Sequence, residues 1–191
     1  MDALPEFHVL HPTTLDEALA ARAAHPASRP LGGGTDLVVN IRRGILAPPV
    51  LIDMNRVEGL SAIKADGNTL EIGASVSLTT LAEHPGVVRH YPVVAQAAAC
   101  IAGPTHRNMG TVGGNLFAPS PYGDLAVALL ALDATVSVMS GYGARDIALE
   151  EFLAGRDRAA GSIVLSVACE RPSNPEAFRF RKVARVKPKG V

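Results

Sequence analysis

Apolar positions change their spacing several times along this chain, and each change predicts an element. Leu15, Ala18 and Leu19 recur at helical spacing, and Arg22 continues the row. Thr13-Thr14 with Asp16 and Glu17 supply a hydroxyl cap and early acids, so a helix is predicted that His25-Pro26 stops. Arg29-Pro30-Leu31 reads as an extended entry to a glycine turn, and residues 37–43 as a brief helix ended by Gly44. Pro48-Pro49 then launches Val50-Leu51-Ile52-Asp53, an unbroken apolar run expected as a buried strand. Residues 1–55 thus read as a βαβ-like lobe.

From residue 56 strand-like alternation takes over. Residues 60–65 and 69–74 alternate around Asp66-Gly67-Asn68, which predicts a β-hairpin. A short helix is expected at 79–83, and a helix of small residues, suited to close packing, at 92–101. Further helices are expected at 124–132 and around Glu150-Glu151-Phe152-Leu153. Strands are expected at 134–139, 145–148, 163–168 and 177–183. The second lobe runs over 56–176, and residues 177–191 are expected to lead toward another domain. The expected fold class is α+β, two lobes sharing a cleft.

Composition narrows the function classes. With 48% hydrophobic and 19% charged residues, a packed core is within reach of these 191 residues. Lys plus Arg equals Asp plus Glu at 18 each, so the basic surplus that nucleic acid demands is missing. No apolar run is long enough to span a membrane, and the first residues lack signal-peptide character, so a cytoplasmic location is expected. Cys100 and Cys169 show no metal or redox spacing and read as small buried hydrophobes. The six histidines likewise lack ligand spacing and read as structural, and no nucleophile elbow or HExxH occurs.

Two glycine turns carry the candidate chemistry: Leu31-Gly32-Gly33-Gly34-Thr35-Asp36 and Met109-Gly110-Thr111-Val112-Gly113-Gly114-Asn115. Glycine lets a ligand approach the main chain and leaves N–H donors exposed, which suits phosphates. The first turn is no P-loop, because no Gly-Lys-Ser/Thr follows. A dinucleotide fingerprint fits at Gly32 and Gly34 but meets Leu37 at the third glycine. Asp53 mimics the ribose-binding acid and keeps that reading open, as a NAD-binding domain. The plain alternative is a tight turn capped by Thr35 or Asp36, with Asp36 expected to cap backbone N–H groups rather than face an anion. Around the second turn, a glycine pair beside His106, Arg107 and Asn108 is costly to order without a task for its backbone. Asp124 opens an apolar stretch either as a helix cap or as an acceptor for ligand hydroxyls.

Three blocks in this order resemble one family. They are residues 31–37, residues 107–116, and Ala118-Pro119-Ser120-Pro121-Tyr122-Gly123-Asp124 with the apolar stretch to residue 130. The chain is similar to the FAD-binding medium subunit of molybdenum hydroxylases, the group of carbon monoxide, xanthine, nicotinate and aldehyde dehydrogenases. The stretch 180–184 agrees as well, and the resemblance spans residues 4–191. It implies a PCMH-type FAD-binding domain with the flavin between the lobes, and no catalytic acid, base or metal ligand on this chain. It further implies that Pro30, Leu31, Gly32, Gly33, Gly34, Thr35, Asp36 and Leu37 wrap the FAD pyrophosphate. Thr111 and Gly114 would form the second contact loop, Ile101 would pack near the flavin or adenine, and Asp124 would bind a ribityl or ribose hydroxyl. Val164 and Lys182 fall at two later FAD contacts. The implied partners are a large subunit with the molybdenum cofactor and a small subunit with 2Fe–2S clusters, in a hetero-oligomer. The C-terminal α/β domain of the family is expected to be missing. A truncated, non-catalytic assembly subunit with weak or no FAD binding is therefore the alternative.

Overall fold

The unbroken apolar run at residues 50–53 becomes the middle of a parallel sheet. The computed structural model describes residues 4–66, 68–118, 123–141, 143–159 and 162–183. Strands β1 (His8–Leu10), β2 (Arg29–Leu31) and β3 (Val50–Asp53) pair in the order β1-β3-β2. β3 has a neighbour on both edges, and Val50, Leu51 and Ile52 are all buried, which is why its sequence does not alternate. Pro30 sits in the edge strand β2, where a missing N–H leaves the ladder intact. β1 escaped the sequence reading because its three residues are largely exposed and carry no apolar period.

Local chemistry sets the helix ends of this lobe. Helix α1 (Leu15–Ala24) starts in a capping box: Glu17 N–H donates to Thr14 Oγ1 at 3.2 Å, and Thr14 N–H donates to Glu17 Oε2 at 3.3 Å. Helix α2 (Leu37–Arg42) closes where Gly44 takes a φ of +69°, a left-handed conformation that suits glycine. There Gly44 N–H donates to Ile41 C=O at 3.0 Å and Ile45 N–H to Asn40 C=O at 2.9 Å, so a Schellman motif satisfies the last carbonyls.

The second sheet is antiparallel. The predicted hairpin forms as β4 (Ile63–Ala65) and β5 (Thr69–Gly73), with Ile63 opposite Ile72. With β6 (Thr135–Ser140), β7 (Gly143–Ala148) and β8 (Ile163–Glu170) they make the order β4-β5-β8-β6-β7. Seven helices accompany this sheet: α3 (Leu78–Glu83), α4 (Pro85–His90), α5 (Pro92–Ala99), α6 (Pro104–Met109), α7 (Val112–Leu116), α8 (Asp124–Leu130) and α9 (Leu149–Ala159). Leu70, Ile72, Val136 and Val167 pack with Val94, Ala97, Ala98, Leu125 and Leu129 in the larger core. The small residues of α5 allow this close approach, as their spacing predicted. The fold is α+β, with one parallel and one antiparallel sheet.

β8 joins the two halves. It gives Val164 and Val167 to the larger core, while Ile163 and Leu165 pack with Ala18, Val50, Ile52, Met54, Val57 and Leu60 beside the parallel sheet. A register shift at Ser137/Val138, with one extra residue on β8, puts both Val164 and Val167 on the side of the larger core.

Two expectations are corrected here. Residues 177–183 form no strand: a 3₁₀ turn at Pro175–Ala177 leads into irregular chain as far as residue 183. The alternation that suggested a strand comes from Phe178 and Phe180, which pack on the core without a ladder partner. Cys100 is exposed, because α5 ends beneath it and turns its side chain outward, whereas Cys169 is buried as expected. Residues 119–122 and 184–191, which carry parts of the quoted motifs and the C-terminal stretch, lie outside the described residues, as does Gly67 of the hairpin turn.

Candidate functional site

The two glycine turns meet along one wall of a cleft of about 1180 Å³. This is larger than the roughly 300–1,000 Å³ typical of a small-molecule site and suits a long ligand. The first turn contributes Pro30, Gly32, Gly33, Gly34, Thr35, Asp36 and Leu37, and the second Gly110, Thr111, Gly114 and Asn115. The turns touch main chain to main chain. A Cβ at Gly33 would lie 1.8 Å from Met109 C=O, a separation open only to glycine.

The first turn leaves its donors unused. Among the described residues, the N–H groups of Gly32, Gly33, Gly34, Thr35 and Asp36 donate to no protein acceptor. Its shape is held from outside instead. Asn55 Nδ2 donates to Gly32 C=O at 3.1 Å and to Asp53 Oδ1 at 2.7 Å, and Met54 N–H donates to Leu31 C=O at 2.9 Å. Asp53, the residue that mimicked a ribose-binding acid, is thereby a brace: its other oxygen meets His11 Nδ1 at 3.2 Å, and it does not line the cleft. Asn55 had no signal in the sequence beyond its place after a strand.

Asp36 departs from expectation. It occupies the N-cap position of α2 but makes no side-chain cap bond, because its backbone is already helical (φ −103°, ψ −43°) and holds the carboxylate away from the first turn.

The second turn is built differently. Pro104 at the first helical position starts α6, and Thr111 caps α7 by accepting from Gly114 N–H at 3.1 Å. Val112 and Gly113 donate to Val76 C=O and Ala74 C=O, which pins this turn to the end of β5. Of the two expected contact residues, Gly114 therefore has its amide committed to Thr111, while the buried Thr111 keeps its hydroxyl proton for another acceptor. Among the described residues Asn115 Oδ1 is buried without a partner, and it belongs to a residue that lines the cleft. An orphaned acceptor of this kind is free to take a donor from a ligand.

The rest of the lining brings together residues far apart in sequence. Ile101 lines the cleft, and Lys182 Nζ donates to Asp124 Oδ2 at 2.5 Å with side-chain exposures of only 20% and 14%. Asp124 is the first helical residue of α8, so it is not the cap. Arg156 of α9 reaches the cleft and donates to Ala118 C=O at 2.8 Å. Arg29, Asn40, Leu78, His106 and Phe117 also line it, and neither periodicity nor motif singled out Asn40, Leu78, Phe117 or Arg156.

Two expected site residues stand apart. Val164 is buried in the larger core opposite Val138 of β6 and does not line the cleft, because its position on β8 turns it inward. Leu31 ends β2 opposite Asp53 and lies behind the turn. Among the described residues no group of His, Cys, Asp and Glu could hold a metal ion, and no helix is long and apolar enough to cross a membrane.

The cleft fits an FAD-sized dinucleotide on these grounds: five unused amides, an orphaned acceptor, cations at Arg29 and Arg156, and its volume. Comparison with known proteins agrees. The chain is 35% identical to the nicotinate dehydrogenase FAD-subunit of Eubacterium barkeri, over 96% of this chain and 65% of that protein. It is 31% identical to the carbon monoxide dehydrogenase medium chain of Hydrogenophaga pseudoflava, over 79% of this chain and 53% of that one. The chain therefore spans about half to two thirds of these relatives. The crystal structure of quinoline 2-oxidoreductase from Pseudomonas putida 86 superposes with a TM-score of 0.92 at 26% identity, covering 99% of this chain and 67% of that one. Residues 5–169 match the family described as the FAD binding domain in molybdopterin dehydrogenase, and it is to this family that the chain belongs.

Proposed function

We propose that this chain binds FAD in the cleft and passes electrons through it as the flavin unit of a molybdenum-containing hydroxylase or dehydrogenase. The observation that carries the reading is the row of five unused amides in the first turn, packed against the second turn at Gly33 and Met109. Bound FAD would supply the redox chemistry, accepting electrons and handing them to a terminal acceptor.

The chain's own residues bind and orient. In this reading the amides of Gly32 to Asp36 and the Thr111 hydroxyl hold the pyrophosphate, and Arg29 and Arg156 offset its charge. Asp124, held by Lys182, accepts from a ribityl or ribose hydroxyl, and Ile101 forms an apolar wall for a ring. The division into lobes 1–55 and 56–176 with the flavin between them is part of the same proposal.

The relatives' names support the assembly: one is an FAD-subunit and another a medium chain of a dehydrogenase. We infer a large partner with the molybdenum cofactor and a small partner with 2Fe–2S clusters, since this chain has only two cysteines, too few for such clusters. The test is the visible spectrum of the purified chain with chromatography of the released cofactor. FAD near one per chain supports the proposal. A folded chain that is empty and takes up no added FAD overturns it and favours a non-catalytic assembly subunit.

A further inference from the structure

Between α5 and α6 the chain turns a tight corner at Cys100, Ile101, Ala102 and Gly103. Ala102 takes a φ of +43°, in the left-handed region where a Cβ crowds the backbone. The carbonyls of Ile101 and Ala102 face the same side, and both accept from Arg107 Nη1, at 2.9 and 3.0 Å. Two neighbouring carbonyl dipoles aimed together repel unless a cation lies between them, and the guanidinium supplies it.

Arg107 is well placed to act on the site without entering it. It sits on α6, where its own N–H donates to Gly103 C=O at 3.1 Å, and its half-buried side chain does not line the cleft. Ile101 and Ala102, which it grips, do line the cleft. The same helix runs straight on into Met109, Gly110 and Thr111, the second glycine turn. A single side chain thus couples the Ile101–Ala102 corner to the helix that leads into the second glycine turn. The other cation near this corner, Lys182, meets Cys100 C=O only at 3.4 Å and is engaged by Asp124.

We propose that Arg107 is a positioning residue for the ligand site, holding the strained Ala102 corner so that Ile101 stands at a fixed distance from the second glycine turn. The proposal rests on reading the cleft as the FAD site. Without the guanidinium the two carbonyls turn apart, Ala102 relaxes toward negative φ, and Ile101 leaves its place.

The experiment titrates FAD into the full chain carrying Arg107→Gln, Ala102→Gly, both, or neither, with folding checked by circular dichroism. Wild type that binds no FAD overturns the functional reading, and the inference falls with it. Given wild-type binding, Arg107→Gln is expected to weaken FAD affinity about tenfold, as for loss of a charge-assisted hydrogen bond. Flavin fluorescence and visible circular dichroism at saturating FAD are expected to change as well, because the ring then meets a displaced wall. A residue needed only for stability would lower the melting temperature and leave the saturated spectra as in wild type. Ala102→Gly removes the strain and is expected to restore several-fold of the affinity in the Gln background. Should Arg107→Gln fail to fold, Arg107→Lys replaces it, since an ammonium lacks the planar fork and a partial loss is expected. Wild-type affinity and spectra in the folded variant overturn the inference, as does an Ala102→Gly substitution that rescues nothing.

Discussion

Gly33 and Met109 bring the two glycine turns into main-chain contact: any side chain at residue 33 would begin 1.8 Å from the Met109 carbonyl oxygen. Neither turn alone makes a site. Their contact brings the free amides of one beside the Thr111 hydroxyl that caps a helix in the other.

Gly33→Ala is therefore expected to push the turns apart, costing about 1–3 kcal/mol or more of stability and most of the FAD affinity. Gly44→Ala is the control. Its φ of +69° makes alanine cost about 1–2 kcal/mol, but nothing lies within 4 Å of the new Cβ. Equal loss of FAD in both variants, measured by titration, would show that the contact is immaterial.

The Lys182–Asp124 pair lines the cleft at low exposure. Removing either partner alone leaves a charge in a half-dry site. The double substitution Asp124→Asn with Lys182→Met is expected to destabilise the chain less than the sum of the two single losses, with a coupling of about 1–3 kcal/mol. Urea unfolding of the four proteins checks this, and additive losses would exclude the coupling.

The two cysteines differ in environment. Cys100 is exposed, while burial pushes the Cys169 thiol up to about 12. A thiol reagent applied to the native chain at pH 8 is expected to label Cys100 and to reach Cys169 only after unfolding. Peptide mapping of the labelled chain reads the outcome directly.

Glu17 ties the capping box to pH. Hydrogen bonds from Thr13 backbone, Thr13 side chain and Thr14 backbone hold its carboxyl below the usual range. A depressed folded pKa means that the contribution is complete above the unfolded value, near pH 4.3, and fades as pH falls through the folded one. Glu17→Gln should flatten the loss of melting temperature in that acidic window and leave the curve above pH 6 parallel to wild type. An unchanged acid limb would remove Glu17 from the account.

How much was legible in the chain follows from what each signal encodes. Unbroken apolar residues at 50–53 predicted a strand with neighbours on both sides, and alternation about Asp66 predicted the hairpin; both formed. The small residues after Pro92 predicted a helix packed closely, and α5 lies in the core. Each of the three motif blocks reaches one cleft, the first through Gly32 to Leu37, the second through Gly110, Thr111, Gly114 and Asn115, and the third through Ala118 and Asp124. By contrast, α6 and α7 carry a proline start and a glycine pair and have no apolar period to announce them. The segment 177–183 had the period of a strand but found no partner.

The sequence by itself determined most of the local elements, the backbone freedom of the two turns and the neutrality of the chain. These depend on side-chain spacing and on which φ values a residue tolerates, both written within a few positions. Only the tertiary structure decided that Gly33 meets Met109, that Lys182 reaches Asp124, that Val164 faces a core and that Asp53 braces Asn55 instead of a ligand. Such contacts depend on how two sheets and nine helices among the described residues pack together, and a burial direction or a distance across the fold has no local spelling.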